Sequence, residues 1–274
     1  MTRLPIYQVD AFTHELFGGN PAAVMVLDHW LPDSVLQALA LENALSETAF
    51  LVAEPGHSEA DFHIRWFTPQ AEVPLCGHAT LASAWVLFHK RGWQGDQIRF
   101  HSRSGPLGVT RREHGWLELD FPALEIHPVP VPDLLREALP DTGNRVFEVP
   151  ADTNYLVVLD DDASVRQARP DLRLLARLGS QGVIITAPGE DCDFVSRYFA
   201  PGVGIDEDPV TGSIHSALVP YWAKRLGRTH LLARQRSARG GKLRCELSNN
   251  RVAIAGQAAF FMAGEVVLPE SAVR

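Results

Sequence analysis

The stretch RWFTPQAEVPLCGHATLASAW, residues 65–85, carries the strongest evidence for the fold, because a later stretch repeats its outline. RYFAPGVGIDEDPVTGSIHSALVPYW, residues 197–222, has a similar strand, an acidic turn and a glycine before an apolar run. RWFTP and RYFAP lie 132 residues apart, and EVPLCGHA and EDPVTGSI lie 135 apart. Upstream, VMVLD matches LVVLD and SETAFLVA matches SQGVIITA at offsets of 132 and 134. Four matched segments in one order indicate an internal duplication.

The pattern within each half predicts two strands, a helix, two strands, a glycine-initiated helix and further strands. Residues 77–90 are apolar on nearly every side of a helix, so this helix must be buried all round. We therefore predict an α+β fold with two pseudo-symmetric domains, each a barrel-like, mostly antiparallel sheet wrapped around a central helix. The predicted domains are 1–122 and 130–262, with a strand at about 263–274 packing back onto the first.

Composition excludes several classes of partner. The chain has 274 residues, 46% of them hydrophobic, and a formal charge of −8, which argues against nucleic acid and anionic membrane surfaces. No segment reaches the roughly 18 apolar residues of a membrane span. The start MTRLPIYQVDAF has the pattern of a strand and not of a signal peptide, which with the lack of a span predicts a cytoplasmic location. The three cysteines are widely spaced and odd in number, which predicts reduced thiols and no structural zinc cage.

Two glycine-led helix starts predict one anion site. The first turn of a helix leaves backbone N–H groups unpaired and carries a partial positive charge. If the halves face each other, Gly77-His78 and Gly212-Ser213 would converge on one cleft that suits a small carboxylate. The alternative for each glycine alone is a tight strand-to-helix turn.

The two halves differ where chemistry is expected. The matched pairs are Glu47 with Gln181, His78 with Ser213, Cys76 with Thr211, and Val73 with Asp208. Structural positions repeat between the halves while ionisable groups do not. This difference predicts a site in which the two halves have different chemical roles. Glu47 begins an apolar strand, where partial burial would favour its neutral form, as a general acid/base requires. The alternative is a solvated charge at a strand end.

The motifs QVDAF, FGGNPAAV, LSETAF, IRWFTPQAEVPLCGHATLA and RYFAPGVGIDEDPVTGSIHSAL, between residues 8 and 218, resemble the phenazine biosynthesis PhzF family. The resemblance implies a fold similar to that of diaminopimelate epimerase, with the site between two domains. It also implies a cofactor-free isomerisation of a cyclic dihydro-hydroxyanthranilate, in which one glutamate moves a proton between two carbons. The family further suggests a homodimer.

The resemblance extends to the family's functional residues, each of which has an identical residue at the matching position of this chain. The glutamate of SETAF is Glu47 and the histidine of CGHAT is His78. The aspartate and serine of EDPVTGS are Asp208 and Ser213. The resemblance implies that Glu47 transfers the proton while the other three hold a small carboxylate-bearing substrate, with backbone N–H groups at Gly77 and Gly212 cradling its carboxylate. No metal is implied.

Cys76 and Asn20 have open roles. Diaminopimelate epimerase uses a thiol at each helix start, but Thr211 occupies the second position here, and a hydroxyl is far too weak an acid to replace a thiol. Cys76 is therefore expected to line the substrate site, with a one-thiol epimerase or racemase as the alternative. Asn20 is expected to line the site or to hold its turn with Pro21.

The residues disfavour two further function classes. A non-catalytic binding or scaffolding homologue is disfavoured, because it would need no positioned acid/base. A Cys-His hydrolase is disfavoured, because Cys76 and His78 are two residues apart at a helix start and are not expected to face each other. Arg65 and Arg197, at matched positions, are expected to pair with acids across the domains.

Overall fold

The computed structural model describes residues 1–57, 59–140, 143 and 145–272. Contacts divide the chain into two compact units. Unit 1 is Met1–Asp120 together with Ala255–Arg274, and unit 2 is Phe121–Ile254. The sequence-based domain bounds stay a prediction, because compactness alone does not show that either part folds by itself.

The secondary structure mixes many strands with few helices, as the predicted α+β class requires. The strands are β1 (Thr2–Ala11), β2 (Asn20–Leu27), β3 (Glu47–Ala53), β4 (Phe62–Phe67), β5 (Glu72–Val73), β6 (Gln97–Ser102), β7 (Gly105–Arg111), β8 (Leu117–Pro122), β9 (His127–Pro128), β10 (Val146–Val149), β11 (Asn154–Val158), β12 (Gly182–Pro188), β13 (Phe194–Ala200), β14 (Ile205–Asp208), β15 (His230–Gln235), β16 (Gly241–Ser248), β17 (Arg251–Gly256) and β18 (Ala258–Leu268). The helices are α1 (Asp33–Asn43), α2 (Gly77–His89), α3 (Asp133–Ala138), α4 (Asp162–Gln167), α5 (Leu172–Ala176) and α6 (His215–Leu226), with 3₁₀ turns at Glu113–Gly115, Pro201–Val203 and Glu270–Ala272.

The sheet of unit 1 is mostly antiparallel. Strand β1 is antiparallel to β18 and β2, β3 is antiparallel to β4, and β6, β7 and β8 follow as antiparallel neighbours. The two parallel pairs are β2 with β3 and β4 with β6. Parallel neighbours need a crossover, and α1 and α2 supply the two crossovers. Helix α1 packs its apolar side on one small core that includes Met25, Leu36 and Phe50.

The sheet of unit 2 repeats this pattern. Strand β10 is antiparallel to β9 and β11, β12 is antiparallel to β13, and β15 is antiparallel to β16. The parallel pairs are β11 with β12 and β13 with β15, and the crossovers are α4 with α5 and then α6. Parallel strand pairs thus occur at equivalent positions in the two units, which agrees with the duplication that the sequence predicts.

Helix α2 is enclosed on every side, as its composition predicts. Its residues from Gly77 to Ala84 are all buried, and so are three of the apolar residues in its last turns. The hydroxyls of Thr80 and Ser83 donate to carbonyls one turn back, at Cys76 (2.6 Å) and Ala79 (2.7 Å). These bonds satisfy the polar atoms that burial would otherwise leave without water.

Helix α6 begins later than predicted. The sequence pattern placed its start at Gly212, but the helix begins at His215. The carbonyls of Gly212 and Ser213 accept N–H groups three residues on, so this entry is a tighter turn that precedes the helix. Pro220 cannot donate to the carbonyl of Ser216, and the N–H of Leu124 donates to that carbonyl instead, at 2.9 Å.

The matched arginines each pair within their own unit. Arg65 forms two hydrogen bonds of 2.8 Å with the carboxylate of Glu72. Arg197 forms the same fork with Glu207, at 2.7 and 2.9 Å. The expectation that these arginines pair across the domains is therefore wrong, and the reason is the short acidic strand that follows each arginine strand as its antiparallel neighbour.

The eight-residue loop between β1 and β2 positions the first residue of β2, Asn20. The buried carboxylate of Asp10 accepts the N–H of Phe17 at 3.2 Å. Gly19 has φ +64°, and a Cβ atom there would lie 2.2 Å from the carbonyl oxygen of Ala11. Only glycine fits this turn.

Among the residues that the structure describes, each helix is too short or too polar to cross a membrane.

We expect Gly19→Ala to lower the free energy of unfolding more than Gly92→Ala does. Gly92 also has positive φ, at +72°, but nothing lies within 4 Å of its Cβ position. The conformational cost, about 1–2 kcal/mol, is common to both changes. The clash at Gly19 should add about 1–3 kcal/mol. Urea denaturation checks this, and equal losses would contradict the close approach to Ala11.

Candidate active site

Five of the predicted site residues lie in unit 1, including Gly77, the first residue of α2. Glu47 is the central one. It is the first residue of β3 and the parallel partner of Ala22 in β2. Its side chain is only 10% exposed. Of the two interpretations of this carboxylate, the solvated strand end is wrong, because β2 and the start of α2 withdraw it from water.

His78 lies directly against this carboxylate. Its Nε2 is 3.2 Å from Oε2 of Glu47, and its side chain is 5% exposed. Burial lowers the pKa of His78, because the surroundings disfavour the charged imidazolium. The nearby carboxylate opposes that shift, but complete enclosure dominates. The ring is therefore neutral near pH 7.

Asn20 determines which nitrogen of His78 carries the proton. The Nδ2 of Asn20 donates to Nδ1 of the ring at 3.1 Å, while its Oδ1 accepts the hydroxyl of Ser46 at 3.4 Å. A neutral ring that accepts at Nδ1 has its proton on Nε2. The ring nitrogen that carries the proton is therefore the one that lies 3.2 Å from Oε2 of Glu47. Asn20 is thus a positioning residue for the pair.

Cys76 also contacts the ring, contrary to the sequence-based expectation. Its Sγ is 3.4 Å from Nδ1 of His78. The prediction that the two do not face each other is wrong, because Cys76 is the N-cap of α2 and has an extended backbone, φ −146° and ψ 110°. That conformation turns its side chain back over the first helical turn. A neutral His78 supplies no imidazolium to stabilise a thiolate, so a nucleophilic thiol gains little from this contact.

The cluster could in principle hold a metal ion. One ligand atom each of Glu47, Cys76 and His78 lie within 4.8 Å of one another. However, Cys76 approaches Nδ1 and Glu47 approaches Nε2, which are opposite edges of the ring. An ion would have to displace the Asn20 amide or the Glu47 carboxylate from the ring. The donor set therefore favours the hydrogen-bonded arrangement.

The remaining predicted residues form a second group, in unit 2. Asp208 ends β14 and is buried. The hydroxyl of Thr211 donates a short hydrogen bond to its Oδ2. Gly212 and Ser213 lie in the turn before α6. Thr211, the counterpart of Cys76, thus orients a carboxylate.

Gln235 is a member of this group that the sequence analysis did not identify. Its Nε2 donates to the carbonyl of Asp208 at 2.9 Å and to the hydroxyl of Thr211 at 3.2 Å. Its Oε1 accepts the N–H of Thr211 at 2.9 Å. A buried glutamine at the end of an otherwise alternating strand, β15, was the available signal. The amide holds the Asp208–Thr211 segment in one conformation.

Comparisons with known proteins agree with these motifs. A family model described as phenazine biosynthesis-like protein matches residues 9–264. An uncharacterized isomerase of Pseudomonas aeruginosa is 52% identical over 265 residues, which cover 97% of this chain and 99% of that protein. A PhzF family protein from Enterococcus faecalis has a similar crystal structure, with TM-score 0.91 and 46% identity over 97% of this chain and 100% of that chain. A hydroxyproline epimerase from Agrobacterium vitis, 10% identical over 98% of this chain and 94% of that chain, shares the fold with TM-score 0.62.

We expect Asn20→Ala to change the tautomer of His78. Without the amide donor at Nδ1, the fraction of rings that carry the proton on Nδ1 should rise. Long-range ¹H–¹⁵N NMR of the ring nitrogens measures that fraction. Asn43→Ala is the control, because it removes an amide that donates to Thr48 at 3.0 Å. Unchanged ¹⁵N shifts in folded Asn20→Ala would contradict the positioning role.

Proposed function

The chain belongs to the phenazine biosynthesis-like protein family, and we propose that it is a cofactor-independent isomerase of the PhzF type. Its substrate is a small carboxylate-bearing molecule such as trans-2,3-dihydro-3-hydroxyanthranilate, and Glu47 transfers the proton. The observation that carries the proposal is the buried carboxylate of Glu47, 3.2 Å from the ring of His78. The name of the Pseudomonas aeruginosa relative, an isomerase, supports the reaction class.

The proposed step needs only one proton and one carboxylate. Glu47 removes a proton from one substrate carbon, and the C–H electron pair enters the conjugated system of the ring. The double bonds shift, and the protonated Glu47 returns the proton to a second carbon. Over the whole cycle, the enzyme and the substrate together gain or lose no proton and no electron. The N–H of His78 stabilises the carboxylate at the start and end of the cycle, and the neutral ring leaves Glu47 basic enough to act.

The proposal assigns substrate binding to the other candidate residues. The first-turn N–H groups at Gly77 suit the substrate carboxylate, because they carry the positive end of α2. Asp208 suits an amine, and Ser213 with Gly212 suits a hydroxyl or carboxylate group. Cys76 and Asn20 would lie beside the substrate at the Glu47–His78 pair.

Assembly and location are part of the same proposal. The family resemblance favours a homodimer, and three cysteine thiols that form no disulfide fit a reducing cytoplasm. Sedimentation velocity of the untagged chain tests the dimer, and a species with the mass of one chain would contradict it.

We expect Glu47→Gln to keep substrate binding and to lose turnover by about 10²–10⁴-fold, because the amide has the shape of the acid but cannot take the proton. Proton NMR of the dihydro-hydroxyanthranilate in D₂O measures substrate loss and deuterium at ring carbon, and calorimetry measures binding. Glu42→Gln is the control, an exposed glutamate in α1. Retained turnover in Glu47→Gln would remove Glu47 as the base.

The runner-up is a one-thiol epimerase or racemase, favoured by the 3.4 Å contact between Cys76 and His78. If the thiol is the base, Cys76→Ala should abolish deuterium exchange into the substrate in the same assay, and Glu47→Gln should leave that exchange intact. Binding without solvent exchange in the unmodified protein would instead favour a non-catalytic homologue.

We expect Ser213→Ala to raise KM more than it lowers kcat, because a binding hydroxyl acts on the bound substrate as much as on the transition state. Steady-state kinetics checks this. A fall in kcat alone would move Ser213 from substrate binding to the chemical step.

A further inference from the structure

A second cluster of chemistry-bearing side chains lies at the other end of β3 from Glu47. Glu54 directly follows β3, seven residues after Glu47. At about 3.3 Å per strand residue, the two positions are about 23 Å apart. His63 in β4 and His101 in β6 complete the cluster, and one ligand atom of each of the three lies within 4.8 Å of the others. The cluster is therefore separate from the proposed active site.

The strand register places the two imidazoles side by side. His63 and His101 are paired positions of the parallel strands β4 and β6. Their neighbours Phe62 and Phe100 are buried, so both histidines lie on the opposite, outward face of the sheet. The rings stack, with centroids 4.8 Å apart and an interplanar angle of 24°.

Glu54 brings a carboxylate to these rings. Its Oε1 is 3.7 Å from Nδ1 of His101. Its Oε2 is buried and has no hydrogen-bond partner among the residues that the structure describes. A carboxylate oxygen withdrawn from water requires a cation or a donor. The described part of the chain supplies neither at that atom, which points to a ligand from outside.

Neighbouring groups hold the cluster in place. The ring of His57 stacks on His101 with centroids 5.9 Å apart, and its Nδ1 accepts the N–H groups of Glu59 and Ala60. The indole of Trp30 packs edge-on against His63, with ring centroids 4.9 Å apart. Such outer contacts orient ligating side chains.

We propose that Glu54, His63 and His101 bind a divalent transition-metal ion, Zn²⁺ above all, on the outward face of unit 1. Two imidazole nitrogens and one carboxylate oxygen are a ligand set that Zn²⁺ accepts, with water in the fourth position. His101 is half exposed, so the ion can enter from solvent. The bound ion joins the end of β3 to β4 and β6 and stabilises that part of the sheet.

Isothermal titration of the untagged, EDTA-treated chain with Zn²⁺ alone tests the proposal. We expect one ion per chain with micromolar or tighter affinity. His101→Ala and Glu54→Gln should each weaken binding by about tenfold or more, since even an orienting partner of a ligand is worth about 10–100-fold. His230→Ala is the matched control, because His230 forms an exposed pair with Glu246 at 3.4 Å but belongs to no group of three possible ligands among the described residues. Circular dichroism verifies that each variant is folded.

Titration with Co²⁺ separates this site from the buried Glu47–Cys76–His78 cluster. Binding to nitrogen and oxygen gives d–d absorption only, whereas binding to Cys76 adds a thiolate-to-cobalt charge-transfer band. The expected result is d–d absorption that His101→Ala abolishes. No Zn²⁺ binding, binding unchanged in folded His101→Ala and Glu54→Gln, or a charge-transfer band as the main signal would each overturn the proposal.

Discussion

Burial of helix α2 is the constraint on which the structure of unit 1 depends. A helix that is apolar on every side is stable in water only when other elements enclose all of its faces. The sheet of unit 1 has to approach it closely, and small residues such as Ala79, Ala82 and Ala84 make that approach possible. Because the helix cannot shift without exposing apolar surface, its first turn is held firmly. His78 and Cys76 owe their fixed positions to that burial.

The same architecture serves two different chemistries at its two helix starts. In unit 1 a buried carboxylate, imidazole and thiol meet at the start of α2. In unit 2 the equivalent segment is a turn in which Thr211 donates to the carboxylate of Asp208, and Gln235 donates to the backbone carbonyl of the same residue. The scaffold contacts repeat, down to the arginine forks with Glu72 and Glu207. A duplicated fold can therefore keep its packing in both copies while the titratable side chains at its two helix starts differ.

Strand β3 separates two environments for glutamate. Glu47, at its start, is enclosed and faces one neutral imidazole whose proton Asn20 places. Glu54, just beyond its end, lies beside two imidazoles, of which that of His101 is half exposed. The enclosed carboxylate is suited to moving a proton, because water neither competes for it nor screens it. The carboxylate of Glu54 is suited to a metal ion that enters from solvent and takes water as its remaining ligand.

The sequence by itself determined the duplication, the α+β class, the buried central helix and the identities of Glu47, His78, Asp208 and Ser213 as candidate residues. These features are local, since periodicity and motif spacing record which face of a helix or strand is buried. The tertiary structure decided how the side chains meet. Asn20 and His78 are 58 residues apart in the chain, and His63 and His101 become neighbours only through the pairing of β4 with β6. The contact of Cys76 with His78 and the late start of α6 depended on backbone dihedrals at a helix cap, which residue types alone do not specify. Strand register and cap geometry arise from packing across the whole unit, and for that reason they were not predictable from the sequence.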